Sequence, residues 1–478
     1  MIGDDLLGAA VLLVILLGIL GIGELWARLG SPSPEHSRKF VHLASAAACL
    51  LFPFLIESPF VVGAMAVGMS LFFGVAGRIE LLKSLNSVER TSRGSEYYSI
   101  AIFMVFLLAA DDLWVYFSSV LILGVADAFA ALIGIRYGKI RYCVQDGEKS
   151  LEGSLAFFAI ACAAVVLTAP FFSDLPWPNL IHIAIAAAVL LTCFEAISLE
   201  GADNLFVPVA AAVILAKLAE DAYTALIFQN LHLVTIFLGL FLLNHLGKRL
   251  ARANQPPFGT GGIIAFALFT FGSWALAGAP FALPVIVGFL VAIVAWIASN
   301  RLTGVELSMR VRPTYRALLL PFCVVLIANI LDQWAQLYGA YLGICAVVVA
   351  FAVTTLWRPN PEVRGPGYSA RFSAGIGLIS GIIVVGPAWA LYPEVGAVAP
   401  LSLIAFVTAV TTINYQIVER RPRIENDEFY WPASQIALTF AVGATIYALQ
   451  YHGLWSSWEI PVADELMRHH WEPWWSNK

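Results

Sequence analysis

The sequence predicts an all-α fold, a polytopic transmembrane helical bundle of about 16 spans with both termini on the outer side of the membrane. The composition is the first reason: 60% of the 478 residues are hydrophobic and only 12% are charged, with a mean hydropathy of +0.82. Soluble domains carry roughly 25% charged residues. The length of the apolar runs and the placement of the basic residues are the other two reasons. Together they exclude a soluble globular protein.

The apolar runs are long enough to cross a bilayer, which takes about 20 residues. Helices are expected because a lipid-exposed span must satisfy its backbone hydrogen bonds internally, and the runs lack the alternation of barrel strands. The spans near residues 104 and 211 are expected to be short. The predicted centres lie near residues 17, 48, 67, 104, 124, 161, 188, 211, 234, 269, 289, 326, 348, 382, 406 and 443.

The basic residues alternate between the loops that join these spans. Of the 27 Lys and Arg residues, 24 lie in odd-numbered loops, which share one side of the membrane. The positive-inside rule makes that side cytoplasmic. Met1 to Asp5 carries two acids and no base, so the first run is expected to be a retained helix and not a cleaved signal peptide. The six cysteines form no CxxC pair and are interpreted as small core residues.

The chain is expected to contain two membrane domains, residues 1–221 and 222–478. Asp127 is the notable polar residue of the first, because it interrupts an apolar run and lies well below the cytoplasmic end of its helix. Ionisable residues at membrane depth are costly and indicate function. Gly134 and Gly138 follow on the same face, where a metal ion or a phosphate could approach the backbone. The alternative is tight helix packing through small residues.

Four basic residues lie at the start of the second and fourth predicted spans. Arg38, Lys39 and His42 share one helix face, near a helix N-terminus that favours anions. Arg93, before the fourth span, could also reach a phosphate. The alternative for the arginines and for Lys39 is that they only set the topology.

Two further loops carry polar clusters. Lys149 and Ser150 open the sixth span, where free backbone N–H groups suit a phosphate or, alternatively, need only a helix cap. The loop after the seventh span has Glu195, Glu200 and Asp203 and no cation. Oxygen ligands of this kind suit Mg²⁺, whereas the alternative is a solvated turn.

Taken together, these segments resemble the dolichol kinase and phytol kinase family of CTP-dependent lipid kinases. The resemblance covers about residues 24 to 217, and Ala126 departs from it, since the family usually has Gly before the aspartate. The motifs are Arg38-Lys-x-x-His42, Arg93-Gly-Ser-x-Tyr97, Asp127-Ala-x-Ala with Gly134 and Gly138, Lys149-Ser-Leu-Glu-Gly-Ser154, and Glu195-x-x-Ser with Gly201-x-Asp-Asn204 and Pro208.

The resemblance implies transfer of the γ-phosphate of CTP to a membrane-embedded prenyl alcohol such as phytol, farnesol or a polyprenol. Asp127 and Asp203 are then expected to hold Mg²⁺, and Glu195 is preferred as the base, with His42 positioning phosphate or hydroxyl. The nucleotide and phosphate contacts are expected from Arg38, Lys39, Arg93, Gly134, Gly138, Lys149, Ser150 and Asn204. Membrane lipids are the other expected partners, and no nucleic acid is expected.

Two alternatives stay open at this point. A cytidylyltransferase that makes CDP-lipids needs similar phosphate and metal groups, and a transporter could have as many helices. For the kinase, we predict that Arg38, Arg93, Asp127, Lys149, Glu195 and Asp203 converge in one cytoplasm-facing cleft among the first eight helices. The second domain has a faint resemblance to the membrane family that phosphorylates phytyl phosphate, at Gly259-Thr-Gly-Gly262 and from Arg364-Gly-Pro-Gly367 through Gly375.

Overall fold

The computed structural model describes most of the chain up to residue 303. The described ranges are residues 2–30, 34–78, 94–144, 147–197, 201–277 and 279–303, with a few separate helical positions between 325 and 387. The predicted spans centred near 406 and 443 lie outside the described residues, and those near 326, 348 and 382 are described only at these separate positions. Arg93, Glu200 and the Arg364–Gly367 motif also lie outside the described residues.

The described ranges are almost entirely helical. The elements are α1 Ile2–Leu29, α2 Pro34–Cys49, α3 Phe52–Leu55, α4 Pro59–Arg78, α5 Gly94–Ala109, α6 Leu113–Leu121, a π-helical turn Ile122–Ala126, α7 Asp127–Tyr137, β1 Arg141–Val144, β2 Gly147–Ser150, α8 Leu151–Phe172, α9 Trp177–Ile197, α10 Asp203–Ala219, α11 Tyr223–Ala251, α12 Thr260–Ala277 and α13 Ala279–Thr303.

Each of the first eleven predicted centres lies inside one of these helical segments. Eight helices of the described part are long and apolar enough to cross a membrane. The segments near 104 and 211 are short, as expected: α5 has 16 residues and α10 has 17. The helical membrane architecture is therefore confirmed, whereas the number of sixteen spans and the orientation stay predictions.

One short β-hairpin lies between the helices and was not predicted. Strands β1 and β2 form an antiparallel hairpin in which Arg141 pairs with Ser150 and Val144 with Gly147. Ser150 then caps α8, because its side chain accepts a hydrogen bond from the backbone N–H of Gly153 at 3.1 Å. The hairpin therefore delivers Lys149 and Ser150 directly to the start of a span.

The chain divides into two compact units, Met1–Asn230 and Leu231–Lys478. The predicted boundary between residues 221 and 222, and the roles assigned to the two domains, stay predictions.

In the first unit, α8 packs against α7 and α9, and α5 packs against α4 and α10. Two of its buried aromatic residues form hydrogen bonds to backbone carbonyls: Trp114 donates to the Val165 carbonyl at 3.0 Å and Tyr116 to the Cys49 carbonyl at 2.8 Å.

Candidate active site

Asp127 begins α7 directly after the π-helical turn Ile122–Ala126. Such turns are rare and frequently occur at functional sites. Here the Leu123 carbonyl accepts a hydrogen bond from His42 Nε2 at 2.8 Å. Gly124 makes this possible, because a Cβ at that position would lie 2.1 Å from the Cβ of Ala46. The turn therefore brings α2 unusually close to the helix that carries Asp127.

The Asp127 carboxylate is bound by two side chains of α2. Lys39 Nζ lies 2.5 Å from Oδ2 and also 3.4 Å from the Asp127 carbonyl oxygen. His42 Nε2 lies 3.2 Å from the same carboxylate oxygen. Lys39 is buried, with only 4% of its side chain exposed. The predicted shared face of Lys39 and His42 is therefore directed at Asp127.

Arg38 is placed differently from its neighbour Lys39. Its guanidinium forms an ion pair with Glu35, one turn earlier in α2, at 2.6 Å. The charges of Asp127 and Asp203 nevertheless act on it. Arg38 therefore lies at the margin of the cluster, close enough to contribute positive charge without contacting Asp127.

A second ion pair joins the hairpin to the end of α9. Lys149 Nζ is ion-paired with the carboxylate of Glu195 and donates to its carbonyl oxygen at 3.1 Å. Glu195 is buried, whereas Lys149 is partly exposed. Burial by itself lowers the pKa of Lys149, but the carboxylates of Glu195 and Asp203 outweigh it and raise that pKa above its ordinary value. The ammonium therefore stays charged.

Asp203 links the two ion pairs electrostatically. It begins α10 and accepts a hydrogen bond from the Asn204 backbone N–H at 3.1 Å. The charges of Asp127, Lys149, Glu195 and Lys39 all act on its carboxylate. Within the described ranges no cation forms an ion pair with it. Asn204 is buried beside it.

Of the six residues predicted to converge, the structure brings Asp127, Lys149, Glu195 and Asp203 into one electrostatic cluster, with Arg38 at its margin. Arg93 lies outside the described residues. The sequence did not reveal which lysine meets which carboxylate. It also gave no indication of the π-helical turn.

A metal ion or a phosphate was expected to approach the backbone at Gly134 and Gly138. In the structure, the residues at the start of α8 occupy this space. A Cβ on Gly138 would lie 2.3 Å from the Gly134 carbonyl oxygen and 2.7 Å from Ser150 Cβ, and one on Gly134 would lie 2.9 Å from Ser150 Oγ. Their role in the structure is close packing of α7 on the Ser150 cap. Contact of Gly134, Gly138 and Ser150 with a nucleotide stays a prediction.

Asp127 and Asp203 are the two carboxylates expected to hold Mg²⁺. No group of three or more ligating side chains suited to a metal ion occurs in the part of the chain that the structure describes. Mg²⁺ is usually held by only one or two carboxylates together with substrate phosphates, so such a group is not required. The charge of Asp127 is the strongest one acting on Asp203. Two carboxylates that repel one another suit a shared divalent cation.

Similar proteins were found for the first part of the chain. It is 32% identical to the phytol kinase of Synechocystis over 196 residues, which are 40% of this chain and 82% of that protein. It is 27% identical to an uncharacterized protein of Methanocaldococcus jannaschii over 191 residues, 38% of this chain and 92% of that protein. A dolichol kinase of Arabidopsis thaliana is 25% identical over 197 residues, which are 36% of this chain and 33% of that protein.

No protein-family model matches the chain. No solved structure matches it either.

Proposed function

Because the chain belongs, through its N-terminal part, to the family of phytol kinase and dolichol kinase, we propose that it transfers the γ-phosphate of CTP to a prenyl alcohol in the membrane. That it is an integral membrane phosphotransferase follows from these relatives and from its apolar helices. CTP as donor, a prenyl alcohol as acceptor and the cytoplasmic position of the site are the proposed parts. CTP is proposed as the phosphate donor because the motifs resemble those of CTP-dependent lipid kinases.

One observation carries the proposal: two long-range ion pairs, Lys39 with Asp127 and Lys149 with Glu195, both act on the carboxylate of Asp203. Lysines bind phosphate oxygens as point charges. When a triphosphate binds, Lys39 and Lys149 exchange their carboxylate partners for phosphate oxygens. Asp127 and Asp203 are the residues that would hold Mg²⁺. The bound ion would neutralise phosphate charge in the transition state.

The chain supplies positioning and proton transfer. The acceptor oxygen forms a bond to the γ-phosphorus while the bond from that phosphorus to the bridging oxygen breaks, and CDP leaves. The acceptor proton passes to Glu195, which is freed from Lys149 when that lysine moves to the phosphates. His42 holds the π-helical turn and the Asp127 carboxylate in place through its Nε2–H. Little covalent chemistry is needed from the protein, since phosphoryl transfer depends mainly on position and charge.

The test uses the full-length protein purified in detergent, with CTP radiolabelled either at the γ- or at the α-phosphate. Phytol, farnesol, a polyprenol and diacylglycerol serve as acceptors, and ATP serves as the competing donor. We expect the γ-label, but not the α-label, to appear in a prenyl lipid. The Asp203→Asn variant is the matched inactive control.

The other outcomes identify the alternatives. Transfer of the α-label to a lipid would show a cytidylyltransferase. Transfer of the γ-label from ATP in preference to CTP would refute the proposed donor. If neither label reaches any acceptor, the kinase proposal is wrong and transport becomes the better hypothesis.

A further inference from the structure

Tyr98 has a hydroxyl whose hydrogen bonding is not satisfied. Its Oη is buried and has no hydrogen-bond partner among the described residues, although the Cys49 thiol, a weak partner, lies near it. Buried polar atoms are nearly always hydrogen-bonded, so an exception calls for an explanation. The comparison within this bundle is Tyr116, whose hydroxyl donates to the Cys49 carbonyl at 2.8 Å. The hydroxyl of Tyr98 therefore has its hydrogen-bonding capacity available.

The position of Tyr98 connects this hydroxyl to the candidate active site. Its ring packs edge-on against the imidazole of His42, with ring centroids 5.0 Å apart. That imidazole contacts the Asp127 carboxylate at 3.2 Å. The charge of Asp127 acts on the Tyr98 hydroxyl as well. The His42 ring therefore contacts both Tyr98 and Asp127.

The same residue also lies within an apolar helix, α5. Tyr98 is in the second turn of α5, about 6 Å along the helix from Gly94 at 1.5 Å per residue. Its ring is partly accessible. A lipid alcohol keeps its chain in the bilayer, so its hydroxyl would reach the site from within the bilayer.

We propose that Tyr98 is the residue that binds the hydroxyl of the lipid acceptor, a role that rests on the proposed kinase function. The Tyr98 O–H donates to a lone pair of the acceptor oxygen. The acceptor oxygen keeps its second lone pair for attack on the γ-phosphorus, and its own proton goes to Glu195 as described above. The unsatisfied hydroxyl of the ligand-free protein is then satisfied by the substrate.

The first arm of the test compares Tyr98→Phe with Tyr116→Phe, a matched loss of one buried phenolic hydroxyl. Tyr98→Phe is expected to raise the KM for the prenyl alcohol about five- to tenfold, the effect of one neutral hydrogen bond, and to leave the KM for the nucleotide unchanged. Its thermal midpoint should stay the same or rise, since the folded protein loses no bond. Tyr116→Phe should lower the midpoint and leave the acceptor KM unchanged.

The second arm uses the matching hydrocarbon without a hydroxyl as an inhibitor. Wild-type protein should bind the alcohol more tightly than the hydrocarbon, and Tyr98→Phe should lose most of that difference while binding the hydrocarbon as before. An unchanged acceptor KM, or a Tyr98→Phe variant that loses stability or folding, would overturn the proposal and give the hydroxyl a structural role. If wild-type protein phosphorylates no prenyl alcohol, the kinase proposal itself fails and this one fails with it.

Discussion

The ion pair of Lys39 and Asp127 gives a prediction about stability that is separate from catalysis. Asp127→Asn removes the carboxylate but leaves the Lys39 ammonium, 4% exposed, without its counter-charge. Removal of one partner from a buried pair typically costs 3–5 kcal/mol, and because Asp127 is 16% exposed we expect about 3 kcal/mol. Lys39→Met should cost less, about 2 kcal/mol, because His42 Nε2 still contacts the carboxylate.

The double variant Lys39→Met/Asp127→Asn is expected to be closer in stability to wild type than either single variant. Replacing both partners removes the buried charges together, which is often nearly neutral. The single losses would add to about 5 kcal/mol, whereas the double variant should lose less than about 2, so the double-mutant cycle should give a coupling above about 3 kcal/mol. Glu148→Gln is the matched control. It disrupts the Arg141–Glu148 pair, whose side chains are 53% and 57% exposed, and should cost at most about 1 kcal/mol.

The assay is reversible unfolding of the purified protein in mixed micelles with increasing dodecyl sulfate, followed by the helical circular dichroism signal. If the two single losses add in the double variant within about 0.5 kcal/mol, the residues do not interact in the folded protein. That result would also remove the first ion pair from the proposed site. An equal loss in Glu148→Gln would show that the assay does not distinguish buried pairs from exposed ones.

Three other substitutions separate the remaining roles. Asp203→Asn should abolish transfer of the γ-label without lowering the free energy of unfolding, since burial and the charges of Asp127 and Glu195 together outweigh the attraction of Lys149 and Lys39 for its carboxylate; retained turnover would remove it from the metal site. Glu195→Gln should lower kcat with an unchanged apparent Mg²⁺ affinity, whereas partial rescue by excess Mg²⁺ would make Glu195 a ligand instead of the base. Gly138→Ala should cost about 1–3 kcal/mol of unfolding free energy by overpacking, because its Cβ would lie 2.7 Å from Ser150 Cβ. A raised nucleotide KM in a stable Gly138→Ala protein would instead support direct contact with the nucleotide.

The helices of the first unit could be predicted because a backbone segment inside the bilayer has no water to form hydrogen bonds with. An apolar run of sufficient length must satisfy its own hydrogen bonds, so its position in the sequence nearly determines its position as a helix. The β-hairpin did not follow from this rule, since it lies between spans. Asp146-Gly147 resembles a hairpin turn signal, but it would have placed the turn one residue too late, because Val144 pairs with Gly147.

The site residues could be selected from the sequence, but their pairing could not. Asp127, His42 and Glu195 stand out because polar groups in apolar helices are costly. Lys39 and Asp127 are 88 positions apart, and Lys149 and Glu195 are 46 apart. Only the packing of α2 on the π-helical turn, and of the hairpin on α9, determines which charges meet. The close approach at Gly124 depends on Ala46 of another helix and has no local sequence signal.

The pairing explains how a charged site can exist at this depth before any substrate binds. Four carboxylates, Glu35, Asp127, Glu195 and Asp203, lie near three cations, Arg38, Lys39 and Lys149, so all but one of the negative charges are compensated. A buried uncompensated charge would cost several kcal/mol. A nucleotide with its Mg²⁺ brings both signs of charge together, so that lysines can turn to phosphates while carboxylates turn to the ion. The exchange replaces each buried ion pair by another one. Under the proposed mechanism, the carboxylates and lysines of the two ion pairs neutralise each other in the free protein and become binding groups only when the complete metal–nucleotide complex arrives.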